Sequence, residues 1–320
     1  MSRRTVLTIG TFDGVHLGHR AILARARHLA TQHGCEMVVL TFDPHPATML
    51  RPKEVPPRLI SGWKKIDLLK EAAADQVVVL EPTPAVLSQS AEVFMKKQVN
   101  EFQPVAIVEG EDFRFGKGRT GDVAMLRRLA KELDFQAVVL PKVDVVLSNL
   151  EVVPVSSSLV RWFIGRGRVL DAGICLGNPF ELVGPVATGD QRGQTIGVPT
   201  ANLDLGALLD HILPADGVYA GQVEVSGSKW YPAAISVGVK PTMGGHALTV
   251  EAHLIDFSDD LYGKTIRIQF ARWLRDQQKF SSVKQLQRQL ARDIARTRRW
   301  QEQGILNSVR TDHVTLTSLQ

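Results

Sequence analysis

Two histidines lie three residues apart in the string GTFDGVHLGHR (10–20), between a short apolar run and a segment with helical spacing. A strand–turn–helix connection of this kind presents backbone N–H groups and the positive end of a helix dipole, and both favour a bound phosphate. Glycines in the turn let the backbone approach a ligand closely. His16 and His19 can then donate hydrogen bonds to phosphate oxygens as charge develops in a transition state.

The whole string resembles the HxGH nucleotidylyltransferase superfamily, which transfers the nucleotidyl group of a nucleoside triphosphate and releases pyrophosphate. A second signature of that superfamily, ISSTxxR, is matched by VSSSLVR (155–161). The resemblance implies that Arg161 contacts the β- and γ-phosphates. The other expected nucleotide contacts are Gly10, Thr11, Phe12, Asp13, Gly14, Ser156, Ser157 and Ser158. Taken alone, the serine segment is equally typical of a capped helix start.

Adenylyl transfer to a phosphate fits this set of residues. The attacking oxygen is already anionic, so positioning and charge stabilisation suffice without a strong general base. Histidines, an arginine and backbone N–H groups therefore make a complete site, although the sequence offers no obligatory carboxylate base there.

A second cluster, GDQRGQTIGVPTANLDL (189–205), has glycines at every fourth position, namely Gly189, Gly193 and Gly197. These glycines are consistent with a flexible hairpin or with a flap over the phosphates of ATP. Thr200 and Asn202 lie on one face if the segment is extended. Their hydroxyl and amide oxygens are suitable ligands for a phosphate-bound Mg²⁺.

The strand-like string VEAHLIDF (250–257) places one carboxylate, Glu251, among mostly apolar residues. Strand alternation allows it to be an ordinary solvent-facing residue. Phosphorylation of an alcohol, in contrast to adenylylation of a phosphate, requires a group that removes or positions a proton. Glu251 is the candidate for that role.

The elements that must position these residues follow two different patterns. In the first half, apolar β-branched runs alternate with segments of helical spacing, which predicts a Rossmann-like, doubly wound α/β domain with ligands at the carboxyl ends of its parallel strands. The predicted strands are TVLTIG (5–10), EMVVLTF (36–42), QVVVLEP (76–82), PVAIVEG (104–110) and FQAVVLP (135–141).

After about residue 180, strand-like runs are separated by turn residues without intervening helices, which predicts an antiparallel barrel or sandwich. A terminal helix is expected from about Ser281, with Val283, Leu286, Leu290 and Ile294 on its apolar side. We expect domains at 1–165 and 181–305, a helical linker at 166–180 and a tail at 306–320.

Composition bounds the class of protein. The chain has 320 residues, a formal charge of +5 and only two cysteines, Cys35 and Cys175. It has no apolar run approaching the ~20 residues of a membrane span. We therefore expect a cytoplasmic enzyme that contacts neither membrane nor nucleic acid. The basic run RQLARDIARTRRW (288–300) is interpreted as a solvated helix face.

Taken together, the motifs are similar to those of bacterial bifunctional riboflavin kinase/FMN adenylyltransferases, also called prokaryotic FAD synthetases. The order and spacing of strings along nearly the whole chain carry the resemblance. Besides those quoted above, they are TFDPHP (41–46), VEGEDFRFGKGRTGD (108–122), LPADGVYAG (213–221), KPT (240–242), LYGK (261–264) and LRDQQKFSSVKQL (274–286).

This resemblance implies an N-terminal domain that adenylylates FMN to FAD and a C-terminal six-stranded barrel that phosphorylates riboflavin to FMN. Each half would use ATP as co-substrate with Mg²⁺, no tightly bound prosthetic group is expected, and a homo-oligomer is allowed. It further implies that Asp112 contacts nucleotide or flavin and that Arg275 lies near the flavin. Phe42, His45 and Arg58 are placed near the isoalloxazine ring by position alone.

The kinase half departs from the family pattern at several positions. Gln194 and Val198 stand where the family has arginine and phenylalanine, and Ser236, Lys240 and Met243 alter a second string. Loss of an arginine where anions bind is not a neutral change. Two alternatives therefore stay open: an FMN adenylyltransferase whose barrel binds flavin without phosphorylating it, and a flavin- or RNA-binding regulator on the same scaffold.

Overall fold

The protein is described here by a computed structural model that covers residues 4–187, 200–225, 227, 229–242 and 245–306. The described residues form two compact units, one ending at Asp144 and the other beginning at Val145. The boundary between functional domains that the sequence places after residue 165 stays a prediction.

The first unit is built on a parallel sheet, as the sequence predicts. Its strand order is β3-β2-β1-β4-β5, and every neighbouring pair is parallel. The strands are β1 (Thr5–Gly10), β2 (Glu36–Phe42), β3 (Gln76–Leu80), β4 (Pro104–Gly110) and β5 (Gln136–Leu140). Because the order reverses between β1 and β4, a ligand crevice is expected at the carboxyl ends of these two strands.

Helices cover both faces of this sheet. They are α1 (Leu17–His33), α2 (Ala47–Leu50), α3 (Gly62–Glu71), α4 (Pro84–Leu87), α5 (Ala91–Phe102) and α6 (Val123–Glu132). One apolar cluster packs α1 and α3 against the sheet, with Leu23 and Leu69 fully buried. The other packs α5 and α6 against the opposite face through residues such as Met95 and Leu129. Burial on both faces explains why the central strands β1, β2 and β4 are almost continuously apolar.

The sheet opens where the strand order reverses. β1 stays paired with β2 as far as Gly10, and β4 stays paired with β5 as far as Gly110. The pairing between β1 and β4, however, ends at Leu7 and Ile107. The last residues of these two strands are therefore not paired with each other, at the edge where the strand order predicts a ligand crevice.

The second unit starts with a two-stranded sheet and two helices. These elements are β6 (Asp144–Val146), β7 (Val152–Pro154), α7 (Ser157–Ile164) and α8 (Val169–Leu176). The segment expected to be a helical linker thus forms helices, and α8 packs against strands of this same unit. Buried Asp171 in α8 accepts hydrogen bonds from Arg168 Nε (2.7 Å) and the Ser148 backbone N–H (2.8 Å).

The rest of the second unit is a closed six-stranded barrel, which confirms the predicted antiparallel architecture. Its strands are β8 (Phe180–Ala187), β9 (Ala201–Leu203), β10 (Gly217–Val225), β11 (Lys229–Thr242), β12 (Gly245–Leu254) and β13 (Thr265–Arg275). They close in the order β10-β11-β12-β9-β8-β13. Tyr219 and Phe270 are fully buried and meet edge to face, with 5.5 Å between ring centroids.

The terminal helix α9 (Val283–Glu302) begins where it was expected, with Ser282 as its cap. The Ser282 side chain accepts the backbone N–H of Gln285 at 3.3 Å. The expected apolar side is incomplete, because Val283 is 59% exposed. The helix is attached instead through buried Asp293, which pairs with Arg275 of β13 at 2.8 Å. The arginines of the basic run lie on the exposed face, as predicted.

Candidate active sites

The loop between β1 and α1 has an unusual backbone. Phe12, Gly14 and Val15 have φ values of 47°, 84° and 40°, in the left-handed region. Only glycine adopts this region without strain, so surrounding packing must hold the other two residues there. Phe12 and Val15 are 2% and 1% exposed, which supplies that packing. The loop is therefore held in one shape at the mouth of the crevice.

The two histidines of this loop form a compact pair. Their rings are stacked with 3.6 Å between centroids and 15° between planes. His16 caps α1, since its Nδ1 accepts the backbone N–H of His19 at 3.3 Å. The Phe12 ring supports His19 from the side, with 5.2 Å between centroids. Both imidazoles therefore lie on the same side of the turn.

His19 is a neutral imidazole at neutral pH. Burial, and secondly the neighbouring His16, lowers the pKa of His19 well below its usual value of 6.5. Its Nδ1 has no hydrogen-bond partner among the described residues. A neutral imidazole still offers one N–H, so the ring can donate to a phosphate oxygen without first binding a proton.

Replacement of His19 by asparagine should reduce the acid sensitivity of folding. In the native protein His19 resists protonation, whereas in the unfolded chain it takes up a proton near pH 6.5. Native stability therefore falls as pH drops below that value, by at most about 1.4 kcal/mol per pH unit for one proton. Melting temperatures at pH 7 and pH 5 check this. We expect a smaller drop in His19→Asn than in the unchanged protein, and equal drops would contradict it.

Three hydrogen bonds hold the loop from different directions. Both carboxylate oxygens of Asp13 accept the backbone N–H of Leu59 at 3.1 Å. The Thr41 hydroxyl donates to the Thr11 carbonyl at 3.3 Å. The Nε of Arg20 donates to the Val15 carbonyl at 3.2 Å. The Asp13 carboxylate, expected to contact nucleotide, thus also fixes the neighbouring segment.

Sequence reasoning passed over two buried ionisable groups near this crevice, Lys65 and Glu109. Lys65 is 6% exposed and donates to the Phe42 carbonyl at the end of β2, at 2.6 Å. Burial lowers the pKa of Lys65, while Asp43 and Asp13 oppose that shift. Glu109 is 2% exposed near the end of β4. Its signal in the sequence was a single carboxylate within an apolar strand, the same signal that selected Glu251.

Of the other residues expected near nucleotide or flavin in the first unit, Phe42 ends β2, and His45, Arg58 and Asp112 lie on loops. Arg58 forms an ion pair with Asp43 at 2.8 Å. His45 Nδ1 accepts the backbone N–H of Ala47 at 3.1 Å. The Asp112 side chain is 72% exposed and lies 4.0 Å from the Lys142 ammonium. The exposed fraction of the side chain is larger for Asp112 than for Arg58, which is 24% exposed.

The serine-rich segment forms the start of α7 in the second unit. Ser156 is its cap, and the Ser156 hydroxyl oxygen accepts the backbone N–H of Leu159 at 3.2 Å. The capped-helix interpretation is therefore confirmed for this residue. Ser157, Ser158 and Arg161 follow in the first turns, with Ser158 exposed. Phosphate contacts from this helix stay a prediction.

In the barrel, strand pairing aligns three polar residues of the second predicted site. Glu251 of β12 is directly opposite Asn202 of β9 on one side and Ser236 of β11 on the other. Directly opposed residues point to the same face of a sheet. The neighbours Val250 and Ala252 are fully buried, so Glu251 and its row lie on the outer face of the barrel.

Thr200 precedes β9 and lines a pocket of about 240 Å³. The same pocket is bounded by Val186, Phe257, Asp260 and Tyr262. Apolar walls with a few polar groups are typical of a small-molecule site. The pocket thus adjoins the segment that carries Asn202.

Only some of the other residues predicted for the kinase site lie within the described part of the chain. Gly189, Gly193 and Gly197, together with Arg192, Gln194 and Val198, lie outside the described residues, as does Met243. Arg275 is described, and its guanidinium is engaged: Nε and Nη2 donate to the Asp293 carboxylate at 2.8–3.2 Å.

The donor types around Asn202 fit a magnesium ion. Thr200 and Asn202 supply hydroxyl and amide oxygens, and Mg²⁺ prefers oxygen ligands while keeping several waters and substrate phosphates. Within the described part of the chain, no group of three or more His, Cys, Asp or Glu side chains could hold a metal by itself.

Two family models match separate parts of the chain. Residues 1–157 match the family model for FAD synthetase, and residues 176–301 match the model for riboflavin kinase. The bifunctional riboflavin kinase/FMN adenylyltransferase of Escherichia coli K12 is 34% identical over 292 residues, covering 90% of each chain. That of Bacillus subtilis 168 is 31% identical over 294 residues, covering 91% of this chain and 90% of its own.

One solved structure is also similar over nearly the full length. It is a Streptococcus pneumoniae chain described as a macrolide-efflux protein, with a TM-score of 0.83 and 32% identity, covering 94% of this chain and 95% of its own. That description applies to the Streptococcus chain. In the described part of the present protein, no helix combines the length and apolar character needed to cross a membrane.

The fold and the two sites define a two-domain transferase, with a nucleotidyltransferase half and a kinase half. The chain belongs to the bifunctional riboflavin kinase/FMN adenylyltransferase family, as its matches to both family models and its relatives over 90% of its length show.

Proposed function

We propose that this protein makes FAD from riboflavin in two ATP-dependent steps. The barrel phosphorylates riboflavin to FMN with release of ADP, and the N-terminal half adenylylates FMN to FAD with release of pyrophosphate. The observation that carries this proposal is the presence of both constellations in one chain: stacked His16 and His19 at the crevice, and Asn202 opposite Glu251 in the barrel.

In the first half, a phosphate oxygen of FMN attacks the α-phosphorus of ATP and the bond to the pyrophosphate oxygen breaks. The attacking oxygen is already an anion, so the site needs donors rather than a base. His16 and His19 donate to the transferring phosphoryl group. Peptide N–H groups of the loop at Gly10, Thr11, Phe12, Asp13 and Gly14, together with the start of α1, add further donors.

Arg161 and the serines at the start of α7 hold the β- and γ-phosphates. A guanidinium forms paired hydrogen bonds with phosphate oxygens and suits that task. Asp112 is exposed on the loop after β4 and contacts the nucleotide or flavin from there. Phe42, His45 and Arg58 are the proposed neighbours of the isoalloxazine ring.

In the barrel, the oxygen of the ribityl 5′-hydroxyl attacks the γ-phosphorus of ATP, and the bond from that phosphorus to ADP breaks. Glu251 accepts the proton of the hydroxyl during this attack. Thr200 and Asn202 would hold Mg²⁺, which supplies charge neutralisation for the phosphates when bound. The pocket beside Thr200 receives the nucleotide, and the role assigned to Gly189, Gly193 and Gly197 over its phosphates stays a prediction from the sequence. Arg275 borders the flavin while its guanidinium stays bound to Asp293.

Gln194 stands where the family has an arginine that faces phosphate. We propose that Arg192, two residues earlier in the sequence, supplies that phosphate contact instead. Arg192→Ala should then raise the KM for ATP in riboflavin phosphorylation by roughly tenfold or more, since a hydrogen bond to a charged group is lost. Arg296→Ala, which removes an exposed arginine of α9, is the matched control. Unaltered ATP affinity in Arg192→Ala would refute the replacement.

The two steps are tested by the nucleotide products they release. Purified protein with riboflavin, ATP and MgCl₂ should release ADP, and with FMN in place of riboflavin it should release pyrophosphate. Pyrophosphate without ADP would leave only the adenylyltransferase, and neither product would contradict the proposal. A cytoplasmic location and a homo-oligomeric assembly stay predictions from the sequence.

A further inference from the structure

Glu109 spans the opening in the parallel sheet. The paired registers of β1 and β4 end at Leu7 and Ile107, two residues before Ile9 and Glu109. At that point the backbone N–H of Ile9 donates to Glu109 Oε1 at 2.7 Å. A side chain thus supplies the link between two strands that no longer pair through their backbones. The Glu109 side chain is 2% exposed, so water does not compete for the bond.

The surroundings of the Glu109 carboxyl group disfavour its charged form. Burial raises its pKa well above the usual 4.5, although the Ile9 N–H opposes this shift. Burial therefore favours the uncharged form of this carboxyl group. A protonated carboxyl keeps a carbonyl oxygen, which is sufficient to accept one N–H.

A short series of contacts leads from Glu109 to the histidines. Ile9 is followed by Gly10, whose Cα faces the Phe12 ring so closely that a Cβ there would lie 3.1 Å from Phe12 Cε2. The Phe12 ring in turn contacts His19. A shift of Ile9 would therefore move the surface on which the Phe12 ring rests and, with it, the His19 ring.

We propose that Glu109 is a positioning residue for adenylyl transfer, which fixes the end of β1 across the crevice and so sets the loop that carries His16 and His19. This inference rests on the proposed adenylyltransferase function. It requires a hydrogen-bond acceptor at residue 109 that reaches the Ile9 N–H, and it assigns Glu109 no role as a base or metal ligand. Displacement of a reacting group by about 1 Å costs up to about 10²-fold in rate, so the effect is expected in kcat.

Three variants test the proposal. Glu109→Gln keeps a neutral acceptor of the same length, and we expect its kcat for FAD formation from FMN to stay within about threefold of the unchanged protein. Glu109→Leu removes the acceptor at similar volume, and we expect kcat to fall about tenfold or more while the KM for ATP changes little. Glu109→Asp keeps a carboxyl group one methylene too short to reach Ile9, and should resemble Glu109→Leu.

Two further measurements separate positioning from general damage to the fold. Riboflavin phosphorylation by the same variants should be unchanged. Hydrogen exchange of the peptide that contains Ile9 should be faster in Glu109→Leu and Glu109→Asp but not in Glu109→Gln, and this readout does not depend on activity. If Glu109→Leu does not fold, Glu109→Asp is compared with Glu109→Gln in its place.

Two results would overturn the proposal: equal loss of kcat in Glu109→Gln and Glu109→Leu, or full activity in Glu109→Leu and Glu109→Asp. Both presuppose that the unchanged protein forms FAD from FMN. Absence of that activity in the unchanged protein would instead count against the proposed function, so the two failures are distinguishable.

Discussion

We expect His19→Ala to form FAD from FMN at least about 10²-fold more slowly than the unchanged protein. This is the usual effect of removing one preorganised donor from a charge-stabilising site. The reason is local. The His19 ring is stacked on His16 and supported by Phe12, and its buried Nδ1 has no hydrogen-bond partner among the described residues. Alanine removes the ring that stacks on His16. It also removes the N–H that is proposed to donate a hydrogen bond to the transferring phosphoryl group.

The same variant should phosphorylate riboflavin at nearly the normal rate. His19 belongs to the first compact unit and Glu251 to the second. His28→Ala is the matched control, since it removes an exposed histidine from the same helix. Chromatographic separation of FMN and FAD after incubation with either flavin gives both activities. Loss of both in His19→Ala, with the control intact, would contradict two independent sites.

Glu251→Gln shows the opposite pattern, with riboflavin phosphorylation reduced by about 10² to 10⁴-fold, the range for loss of a general base. Glutamine has almost the same shape and can still accept a hydrogen bond, but it cannot take a proton at neutral pH. Because Glu251 lies in register between Asn202 and Ser236, an isosteric change disturbs its neighbours least.

FAD formation from added FMN should be unaffected in Glu251→Gln. Glu302→Gln at the exposed end of α9 is the control for loss of one carboxylate. Undiminished FMN production by Glu251→Gln would remove its proposed role. No FMN production by the unchanged protein would favour the alternative in which the barrel only binds flavin.

The sequence predicts the elements of this protein well because their signals are local. The three central strands, β1, β2 and β4, are buried on both faces, so each appears as a continuous apolar run, and the half-exposed edge strands β3 and β5 keep the same pattern. The loop of His16 and His19 is predicted because its glycines, histidines and helix start are adjacent in the chain. Ser282 as the cap of α9 follows from the same kind of short-range pattern.

Features that depend on distant pairing are not visible in the same way. Nothing near Asn202 in the sequence shows that β9 pairs with β12 and brings this amide opposite Glu251. Glu109 acquires its role only because β1 and β4 separate beside it. Asp293 replaces part of the expected apolar contact of α9 because Arg275 lies on the strand beneath it. These are tertiary effects, and local periodicity does not encode them.

The most direct test of two consecutive sites in one chain is a single time course. The unchanged protein is incubated with riboflavin, ATP and MgCl₂, and the flavins are separated at intervals. We predict that FMN appears first and is then converted to FAD, with FMN accumulating and no FAD formed when His19→Ala is used instead. Formation of FAD by His19→Ala at the normal rate, or failure of the unchanged protein to convert FMN, would contradict the central claim.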